Sequence, residues 1–484
     1  MSTIPELAPE INYVSSEGRR ILGRLERIPV WALPGLFIGV IGIGFLFTFY
    51  DIFDINVSFI QTSMSIIPGT TPETAGNYLG APILLNLVGY VLGTLILSPL
   101  SDRIGRRNML LITMVITGLG SLFTGFVHGY NSFNISRLIT GIGVGADLAV
   151  VNTYINEVAP SRSRAKYTSL IFIMSALGAF IGVWLGLLLT TPATPFPLGL
   201  PFALASAHFA YGWRVMYFIG AFLAIVGILI RTKLPESPRW LISMGREDEA
   251  EVVVSEMENF ASKRVTLVEP LELRTMPKRS HGLPYSQLFR NKLYLRRIVT
   301  LLLVWLFSYI TVYALAAGLT TIMAGLKYPA PEAGLIVALG SLGFILCAIC
   351  AYLFGEKLER KTWLIISAVL TIIGGIIIAS AGSSFSVAVL GGIVTFFGFN
   401  LWIPMSYAWT TENFPTSARA SGFALVDGLG HIGAGFGILL IAPNIPALGP
   451  LKSMLLIAAF LVIAAIIAQF GVRTKGRSLE DISS

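Results

Sequence analysis

The sequence predicts an all-α membrane protein in which twelve transmembrane helices form two related bundles of six. Three observations lead to this prediction. Apolar residues make up 54% of the 484 residues and charged residues only 12%, whereas an ordinary soluble domain is about a quarter charged. Apolar stretches of bilayer length recur along the whole chain. Short charged motifs in the first half then return in the second half at nearly constant spacing.

Windows of about 20 residues, the length that crosses a bilayer, find twelve apolar segments. The first segment is longer than the apolar core of a signal peptide, so we expect it to stay in the mature protein. The predicted segments are 34–60, 79–100, 108–129, 132–157, 165–191, 211–232, 298–325, 333–354, 363–382, 385–410, 418–442 and 450–470.

Lysine and arginine are distributed unevenly between the two ends of these segments. Thirty of the 34 fall in the two tails and in the alternate connections on one side, and thirteen of these lie in residues 231–297. The other side carries only Lys327 and Lys452, while Arg137 and Arg214 lie near segment ends. Because cytoplasmic loops are rich in lysine and arginine, we expect a multi-pass protein of the cell membrane with both termini in the cytoplasm.

The longest polar stretch lies between segments 6 and 7 and divides the chain into two sets of six. We expect it to form short amphipathic helices that lie under the bundle and contact anionic membrane lipid. The predicted organisation is an N-terminal tail (1–33), an N-terminal bundle (34–234), a linker (235–297), a C-terminal bundle (298–471) and a C-terminal tail (472–484).

Two charged motifs recur across this divide. Asp102-Arg103 follows segment 2, and Glu359-Arg360 follows segment 8, 257 positions later. The motif Glu157–Ala165 follows segment 4, and Glu412–Ala420 follows segment 10, 255 positions later. Nearly equal spacing at equivalent segment ends predicts an internal duplication, with the halves related by an axis along the membrane normal.

These motifs resemble those of the major facilitator superfamily over nearly the whole chain. Asp102–Arg107 is similar to the superfamily motif between helices 2 and 3, and Arg137–Pro160 is similar to helix 4 of the sugar porters. Pro235–Leu241 and Lys475–Glu480 resemble the sugar-porter sequences after helices 6 and 12. The resemblance implies two pseudo-symmetric six-helix bundles and a carrier that works by alternating access.

The resemblance also extends to a second branch of the superfamily. Segment 7, at 308–313, lacks the glutamine pair with which sugar porters bind hydroxyl groups. Tyr50–Phe53 resembles helix 1 of the phosphate and organic-anion proton symporters, and Asp147 matches an acidic position of the phosphate carriers. The sequence therefore does not decide whether the substrate is a sugar, phosphate or an organic acid.

Asp51, Asp54, Arg137 and Asp147 are charged residues that lie inside predicted segments of the first half. A charge at the middle of a bilayer costs about 3 kcal/mol, so such residues usually face the bundle interior and are paired or protonated. We expect Arg137 to pair with Asp51 or Asp54, and protonation of that aspartate to break the pair during transport. A fixed ion pair that never titrates is the alternative.

Two further acidic positions allow more than one interpretation. Asp147 is either a second proton site, a direct substrate ligand, or a structural residue that caps a kink or bonds to helix 1. If the substrate is an anion, Asp147 must be protonated when it binds. Asp427 and His431 lie four positions apart on segment 11 and form either a titratable pair or part of a glycine-rich gating helix.

The repeated motifs at the cytoplasmic ends have a mechanical interpretation. We expect Asp102 to lie near the start of helix 11, where a helix dipole favours an anion, and the arginines to reach acids on neighbouring helices. These contacts would close the cytoplasmic side. The predicted gating residues are Asp102, Arg103, Arg106, Arg107, Glu157, Arg164, Glu359, Arg360, Glu412 and Arg419.

Polar and aromatic positions on segments 1, 4, 7 and 10 give the candidate substrate site, since the resemblance implies that these helices surround the cavity. The candidates are Tyr50, Asn152, Tyr309, Tyr313, Asn400, Trp402 and Tyr407. Packing or interfacial aromatic residues are the alternative for each tyrosine and tryptophan.

The sequence therefore predicts a secondary active transporter rather than an enzyme, and most directly a proton-coupled symporter of a small polar metabolite. An uncoupled facilitator or exporter is the first alternative, and a non-transporting sensor is the second. We expect no cofactor and no metal, since Cys347 and Cys350 lie inside segment 8 without a second pair. The expected partners are a small-molecule substrate, protons and membrane lipid, without nucleic acid, and we expect a monomer.

Overall fold

The structure is a computed structural model that describes residues 14–71, 74–160, 164–196, 199–204, 211–270, 285–414, 419–441 and 444–475. These residues contain twelve helices that are long and apolar enough to cross a membrane, which confirms the predicted all-α fold. We number them helix 1 to helix 12 in chain order. They are Leu36–Ile55, Gly80–Ile104, Arg106–Phe126, Tyr130–Val158, Lys166–Thr190, Gly212–Arg231, Lys292–Ala316, Ala330–Phe354, Arg360–Ser380, Phe385–Glu412, Ser421–Ile441 and Pro450–Ala468.

The two halves repeat the same helix contacts. In the first half helix 1 packs on helix 5, helix 4 packs on helices 2 and 3, and helix 3 packs on helix 6. In the second half helix 7 packs on helix 11, helix 10 packs on helices 8 and 9, and helix 9 packs on helix 12. This pattern is the pseudo-symmetry that the repeated sequence motifs predict.

Helix 4 is the most deeply buried of these twelve helices, with 78% of its most apolar stretch inside the protein. Its glycines allow this, because they let neighbouring backbones approach closely. A Cβ atom on Gly141 would lie 2.0 Å from the carbonyl oxygen of Asn86 on helix 2, and one on Gly143 would lie 2.2 Å from Thr117 Oγ1 on helix 3. The Gly-x-Gly-x-Gly run is therefore a packing motif.

The connection between helices 6 and 7 carries three helices in its described part, Pro238–Ser243, Glu247–Ser262 and Tyr285–Arg290. We name the end of the bundle that carries these helices the linker face, and the opposite end the far face. A helix before the bundle, Ser16–Glu26, lies against Glu247–Ser262. Arg24 and Arg27 join the two through Glu258, at 2.5 Å and 2.8 Å.

The halves touch each other at both faces of the bundle. At the linker face, the Lys166 ammonium of helix 5 lies 5.3 Å from the centre of the Tyr352 ring of helix 8. At the far face, the rings of Phe196 and Phe385 are 5.9 Å apart. The structure therefore has neither face widely open.

Helices 10 and 11 are interrupted near their middles. Helix 10 consists of Phe385–Asn400 and Ile403–Glu412, because Pro404 has no N–H to donate to the carbonyl group four residues earlier. Helix 11 is interrupted at His431, between Arg419–Gly430 and Ile432–Phe436. Interruptions inside helices often mark functional positions, and both of these lie beside the contact between the halves.

Candidate functional site

A buried ion pair joins helices 1 and 4. Arg137 donates from Nη1 to Asp51 Oδ1 at 2.7 Å and from Nη2 to Asp51 Oδ2 at 2.6 Å. Both side chains are only 2% exposed. The two parallel hydrogen bonds form the strong, directional arrangement typical of arginine with a carboxylate. Of the two partners that the sequence allows for Arg137, the structure selects Asp51.

Asp54 lies one helical turn beyond Asp51 and is completely buried. Within the part of the chain that the structure describes, its carboxylate oxygens have no hydrogen-bond partner. The ring of Tyr217 on helix 6 completes the surroundings of the pair, with its centre 5.7 Å from the Arg137 guanidinium carbon. An ionised carboxylate without partners is costly to bury, so Asp54 is a place where a proton can be held.

Asp147 belongs to a second buried ion pair, which the sequence does not predict. Its partner is Arg231 of helix 6, with Nη2 donating to Asp147 Oδ2 at 3.0 Å, and Thr113 of helix 3 donates to Oδ1 at 2.7 Å. Helix 1 passes close by, since a Cβ on Gly44 would lie 1.6 Å from Asp147 Oδ2. Asp147 therefore faces into the N-terminal bundle. Arg231 lies at the end of predicted segment 6, and the sequence gives no sign that its side chain is fully buried.

The two halves meet at the buried carboxylate of Asp427, on helix 11. Tyr90 of helix 2 donates a hydrogen bond to Asp427 Oδ2 at 2.6 Å, and Tyr309 of helix 7 donates to Oδ1 at 2.9 Å. His431 Nδ1 lies 2.8 Å from the Asp427 carbonyl oxygen and 3.8 Å from its carboxylate. Because Tyr90 belongs to the first half and Asp427 to the second, this contact links the halves directly.

Aromatic rings surround this carboxylate. The His431 ring lies between those of Tyr90 and Tyr309, with ring centres 3.8 Å and 4.0 Å away. The ring of Trp402, at the interruption of helix 10, is 5.7 Å from that of Tyr309. We name this group the junction cluster. Its members are Tyr90, Trp305, Tyr309, Tyr313, Trp402, Tyr407, Asp427 and His431.

The structure brings four predicted substrate residues together in the junction cluster, namely Tyr309, Tyr313, Trp402 and Tyr407. The other three point elsewhere. The Tyr50 hydroxyl donates to the Met216 carbonyl oxygen on helix 6 at 2.8 Å, inside the N-terminal bundle. The amides of Asn152 and Asn400 each donate to a carbonyl oxygen of their own helix, at 2.9 Å.

Sequence reasoning missed Tyr90 and Trp305 as members of this group. Tyr90 lies on helix 2, which was not among the helices expected to line the cavity. Trp305 lies on helix 7, and its indole N–H donates to Thr410 Oγ1 of helix 10 at 2.9 Å. A tyrosine inside an apolar segment is a usable indication, since a buried hydroxyl group needs a partner.

A narrow cavity lies beside the Asp51–Arg137 pair, between helices 1, 2, 4 and 7. Its polar lining is Asn86, Arg137 and Tyr313, and its apolar lining is Ile52, Ile55, Ile83 and Ala316. Asn86 Nδ2 donates to the Arg137 carbonyl oxygen at 3.1 Å. Tyr313 also belongs to the junction cluster, so the cavity connects the ion pair of the first half with the aromatic group of the second.

At the linker face, each half contains one arginine that binds two acids. Arg106, the first residue of helix 3, lies 2.6 Å from Asp102 and 3.0 Å from Glu157. Arg360, the first residue of helix 9, lies 2.9 Å from Glu356 and 3.2 Å from Glu412. We name these groups the Arg106 latch and the Arg360 latch.

The latches correct the predicted alignment of the first repeat. Glu356, not Glu359, occupies the position of Asp102, and Arg360 matches Arg106 rather than Arg103, 254 positions earlier. Glu359 instead caps helix 9 by accepting from the amide of Arg360 at 3.1 Å. The physical reason is that the arginine must begin the helix to reach both acids. The sequence does not show which of two acidic residues, three positions apart, is the equivalent of Asp102.

The remaining predicted gating residues have different surroundings. The short helix Ser98–Ile104, which carries Asp102, contacts the first part of helix 11, Arg419–Gly430. The backbone amide of Arg107 donates to Glu236 at 3.2 Å, and its guanidinium donates to the carbonyl oxygen of Thr232. Arg103 is exposed. The side chains of Arg164 and Arg419 lie outside the described part of the structure.

Two related bundles of six spanning helices, with buried charges inside one and a polar aromatic group between them, define a transporter of the major facilitator superfamily. The chain belongs to the sugar (and other) transporter family, whose model matches residues 37–484. The fold and the family are those of transporters rather than enzymes.

Three individual proteins illustrate this relationship. The niacin transporter NiaP of Acinetobacter baylyi is 26% identical over 465 residues, which cover 96% of this chain and 99% of that protein. The putative metabolite transport protein YyaJ of Bacillus subtilis is 28% identical over 467 residues, 94% of this chain and 96% of that protein. The structure of the proton:xylose symporter XylE with a bound bromodeoxyglucose matches with a TM-score of 0.72 at 20% identity, over 96% of this chain and 99% of that one.

Proposed function

We propose that this protein is a proton-coupled symporter that carries a small polar metabolite across the cell membrane, with its linker face and both termini in the cytoplasm. The observation that carries this proposal is the Asp51–Arg137 pair, which is buried and whose arginine lines a cavity between the halves. A fully buried pair in a rigid protein has only a structural role. A pair beside a cavity can exchange its proton and its partner.

The coupling step follows from electrostatics. While Asp51 is ionised, it holds Arg137 through two charge-assisted hydrogen bonds and ties helix 1 to helix 4. Protonation of Asp51 removes most of this attraction, so the two helices can shift relative to each other. Tyr50, Asp54 and Tyr217 are the other titratable groups near the pair, and Asp54 serves as a relay for protons that reach Asp51.

Asp147 has a supporting role in this scheme. Its pairing with Arg231 and Thr113 leaves it inside the N-terminal bundle, which favours a structural or secondary proton role over direct substrate contact. We therefore place the substrate between the Arg137 cavity and the junction cluster, where residues of both halves lie within reach of one ligand. Alternating access then consists of rocking the halves around this position.

The latches supply the cytoplasmic gate. With Arg106 and Arg360 bound to their acids, the ends of helices 2, 3 and 4 are joined within the first half, and those of helices 8, 9 and 10 within the second. Each latch thus fixes the end of its own half that meets the other half when the linker face is closed, and its release would loosen that end and favour opening. Because the two latches have equivalent partners, both halves would release by the same chemistry.

An uncoupled facilitator or an exporter is the second candidate. The observation that favours it is that Asp51 is fully bonded by Arg137, as expected for a fixed ion pair. The two functions differ in one measurable property, because only a symporter accumulates substrate against its gradient when a pH gradient is imposed.

The test is transport by the purified full-length protein in liposomes. Counterflow with glucose, xylose, phosphate, nicotinate and succinate identifies the transported compound without any driving force. Uptake of that compound is then measured with the outside more acidic than the inside, and with equal pH. We expect accumulation only with the gradient. Equal uptake under both conditions would contradict proton coupling and favour the facilitator.

A further inference from the structure

We infer that Arg137 is itself a substrate ligand, and that the substrate is a small monocarboxylate with an apolar or aromatic body. This inference rests on the proposed function and adds the substrate class and the atom that binds it. A carboxylate of the substrate takes the place of Asp51 on the Arg137 guanidinium when Asp51 is protonated.

The first observation is the position of Arg137 at the cavity wall. Its guanidinium uses Nη1 and Nη2 to bind Asp51. Its Nε–H has no hydrogen-bond partner within the described ranges of the chain, although the atom is buried. A buried guanidinium with a spare donor, beside an empty space, is suited to a second carboxylate, because arginine binds carboxylates through two parallel hydrogen bonds.

The second observation is the chemistry of the other cavity walls. Three isoleucines and an alanine line most of the space, and Tyr313 adds an aromatic ring. Apart from Arg137, the polar groups in this lining are the Asn86 amide and the Tyr313 hydroxyl. A sugar would leave several hydroxyl groups without partners here, which is costly in a buried site. These walls match the chemistry of a compact apolar or aromatic body, which would place its ring against Tyr313 once the rocking of the halves has widened the space.

The third observation is the balance of charge. Arg137 and ionised Asp51 sum to zero, so an added carboxylate would leave a net negative charge in a buried site, which is unfavourable. A proton on Asp51 restores neutrality and frees both Nη groups of Arg137. The proton binds to an Asp51 oxygen, the Arg137–Asp51 bonds break, and Arg137 bonds to the substrate carboxylate. One proton therefore travels with one carboxylate, and net transport moves no charge.

The neighbouring groups are compatible with this exchange. Asp54 and Tyr217 face the pair from helices 1 and 6, and neither brings a positive charge that could replace the proton. The ring of Tyr313 lies 5.9 Å from that of Tyr309 and 5.8 Å from that of His431. A ring held at Tyr313 therefore contacts the junction cluster, whose residues come from both halves.

The experiment compares carboxylates with their neutral amides, which have nearly the same shape. Proteoliposomes with the full-length protein receive labelled nicotinate, nicotinamide, benzoate, benzamide, glucose or phosphate under an acid-outside gradient. Uptake by protein-free liposomes is subtracted, because the neutral acids cross lipid passively and collect in the alkaline interior. We expect the protein-dependent uptake of the two carboxylates to be at least about tenfold above that of their amides, since a charge-assisted hydrogen bond is worth about 1.5–3 kcal/mol. Valinomycin-imposed membrane potentials should leave the rate unchanged.

Binding measurements test the Arg137 contact separately from the coupling to protons. Nicotinate binding to the wild type should strengthen from pH 7.5 to pH 5.5, whereas Asp51→Asn should bind equally well at both values because the asparagine mimics the protonated acid. The double variant Asp51→Asn with Arg137→Gln keeps the site neutral and should lose at least about tenfold in affinity. Undiminished binding by the double variant would overturn Arg137 as the ligand.

The outcomes for the two claims differ. Proton-driven uptake of glucose or phosphate without uptake of any carboxylate would overturn the substrate class and leave proton coupling intact. Carboxylate uptake that ignores the pH gradient, with binding lost in the double variant, would overturn the coupling and leave the Arg137 contact intact.

Discussion

Asp147 of helix 4 and Arg231 of helix 6 form a buried ion pair, with Arg231 Nη2 3.0 Å from Asp147 Oδ2. Arg231 also donates to the carbonyl oxygens of Leu110 on helix 3 and Ile41 on helix 1, at 2.9 Å and 3.2 Å. Two side chains thereby connect four helices of the N-terminal bundle. The pair lies on the linker side of Asp51–Arg137, since ten residues of helix 4 separate them by about 15 Å.

Removal of either partner should destabilise the protein strongly. Arg231→Gln leaves Asp147 as an unpaired buried charge, and we expect a loss of about 3–5 kcal/mol in the free energy of unfolding. The double variant Asp147→Leu with Arg231→Met removes both charges and should recover most of this loss. Thermal unfolding in detergent measures both. A double variant no more stable than Arg231→Gln would contradict the assignment of the loss to an unpaired charge.

The glycine contacts of helix 4 give a prediction with a matched control. Gly141→Ala places a methyl group 2.0 Å from the Asn86 carbonyl oxygen, so helices 2 and 4 must separate. We expect a cost of about 1–3 kcal/mol, the usual range for overpacking. Gly39→Ala on helix 1 has nothing within 4 Å of the new methyl group and should be neutral. Equal melting temperatures for the two variants would contradict the packing role of Gly141.

The two latches should be equivalent in function. Arg106→Gln and Arg360→Gln each remove the link to two acids, and both should favour opening of the linker face. Cross-linking of Lys166→Cys to Tyr352→Cys by a flexible bifunctional thiol reagent reports closure, because the native side chains meet across the halves. The background replaces the native cysteines by serine. We expect slower cross-linking in both variants and no change in Arg246→Gln, whose ion pair with Glu249 is exposed. A change in only one latch variant would contradict their equivalence.

The contact between the N-terminal helix and the linker should depend on pH. Burial opposes ionisation of Glu258, but hydrogen bonds from Arg24 and Arg27 outweigh it and hold the pKa of its carboxyl below the usual value of 4.5. A carboxyl with a lowered folded pKa stabilises the contact above its unfolded pKa, and this stabilisation is lost as the pH falls through the folded value. After correction for the slower intrinsic exchange at acid pH, the protection of Ser16–Glu26 against hydrogen exchange should therefore fall below about pH 4.5.

Glu258→Gln is the control for that measurement. The neutral side chain cannot form charge-assisted bonds to Arg24 or Arg27, so exchange in Ser16–Glu26 should already be faster at pH 7 and change less on acidification. Exchange that follows the wild-type pH profile in this variant would show that another group controls the contact.

Some features of the fold and site were predictable from the sequence because they depend on local patterns. The length and hydropathy of the apolar segments predict the twelve membrane-spanning helices. The cost of a bare charge in the bilayer required Arg137 to find an acid on a neighbouring helix. The choice between Asp51 and Asp54 was not predictable, since one helical turn separates them and only the rotation of helix 1 decides it.

Other features depend on tertiary contacts that no local pattern reveals. Arg231 lies at the end of an apolar segment. At such a position the sequence does not distinguish an arginine exposed in the linker from one buried in the bundle. The polarity of Tyr50 led to its prediction as a cavity residue. The orientation of helix 1 instead directs its hydroxyl group to the Met216 carbonyl oxygen. Tyr90 meets Asp427 only because helices 2 and 11, from opposite halves, come together at the junction.

The most direct test of proton coupling through Asp51 uses the Asp51→Asn variant and the compound that counterflow identifies. Both proteins are reconstituted at equal density, and uptake is measured in liposomes with the outside acidic. We predict that the wild type concentrates the compound, and that Asp51→Asn still exchanges it but only equilibrates it. Accumulation by Asp51→Asn under the same pH gradient would contradict the assignment of the transported proton to Asp51.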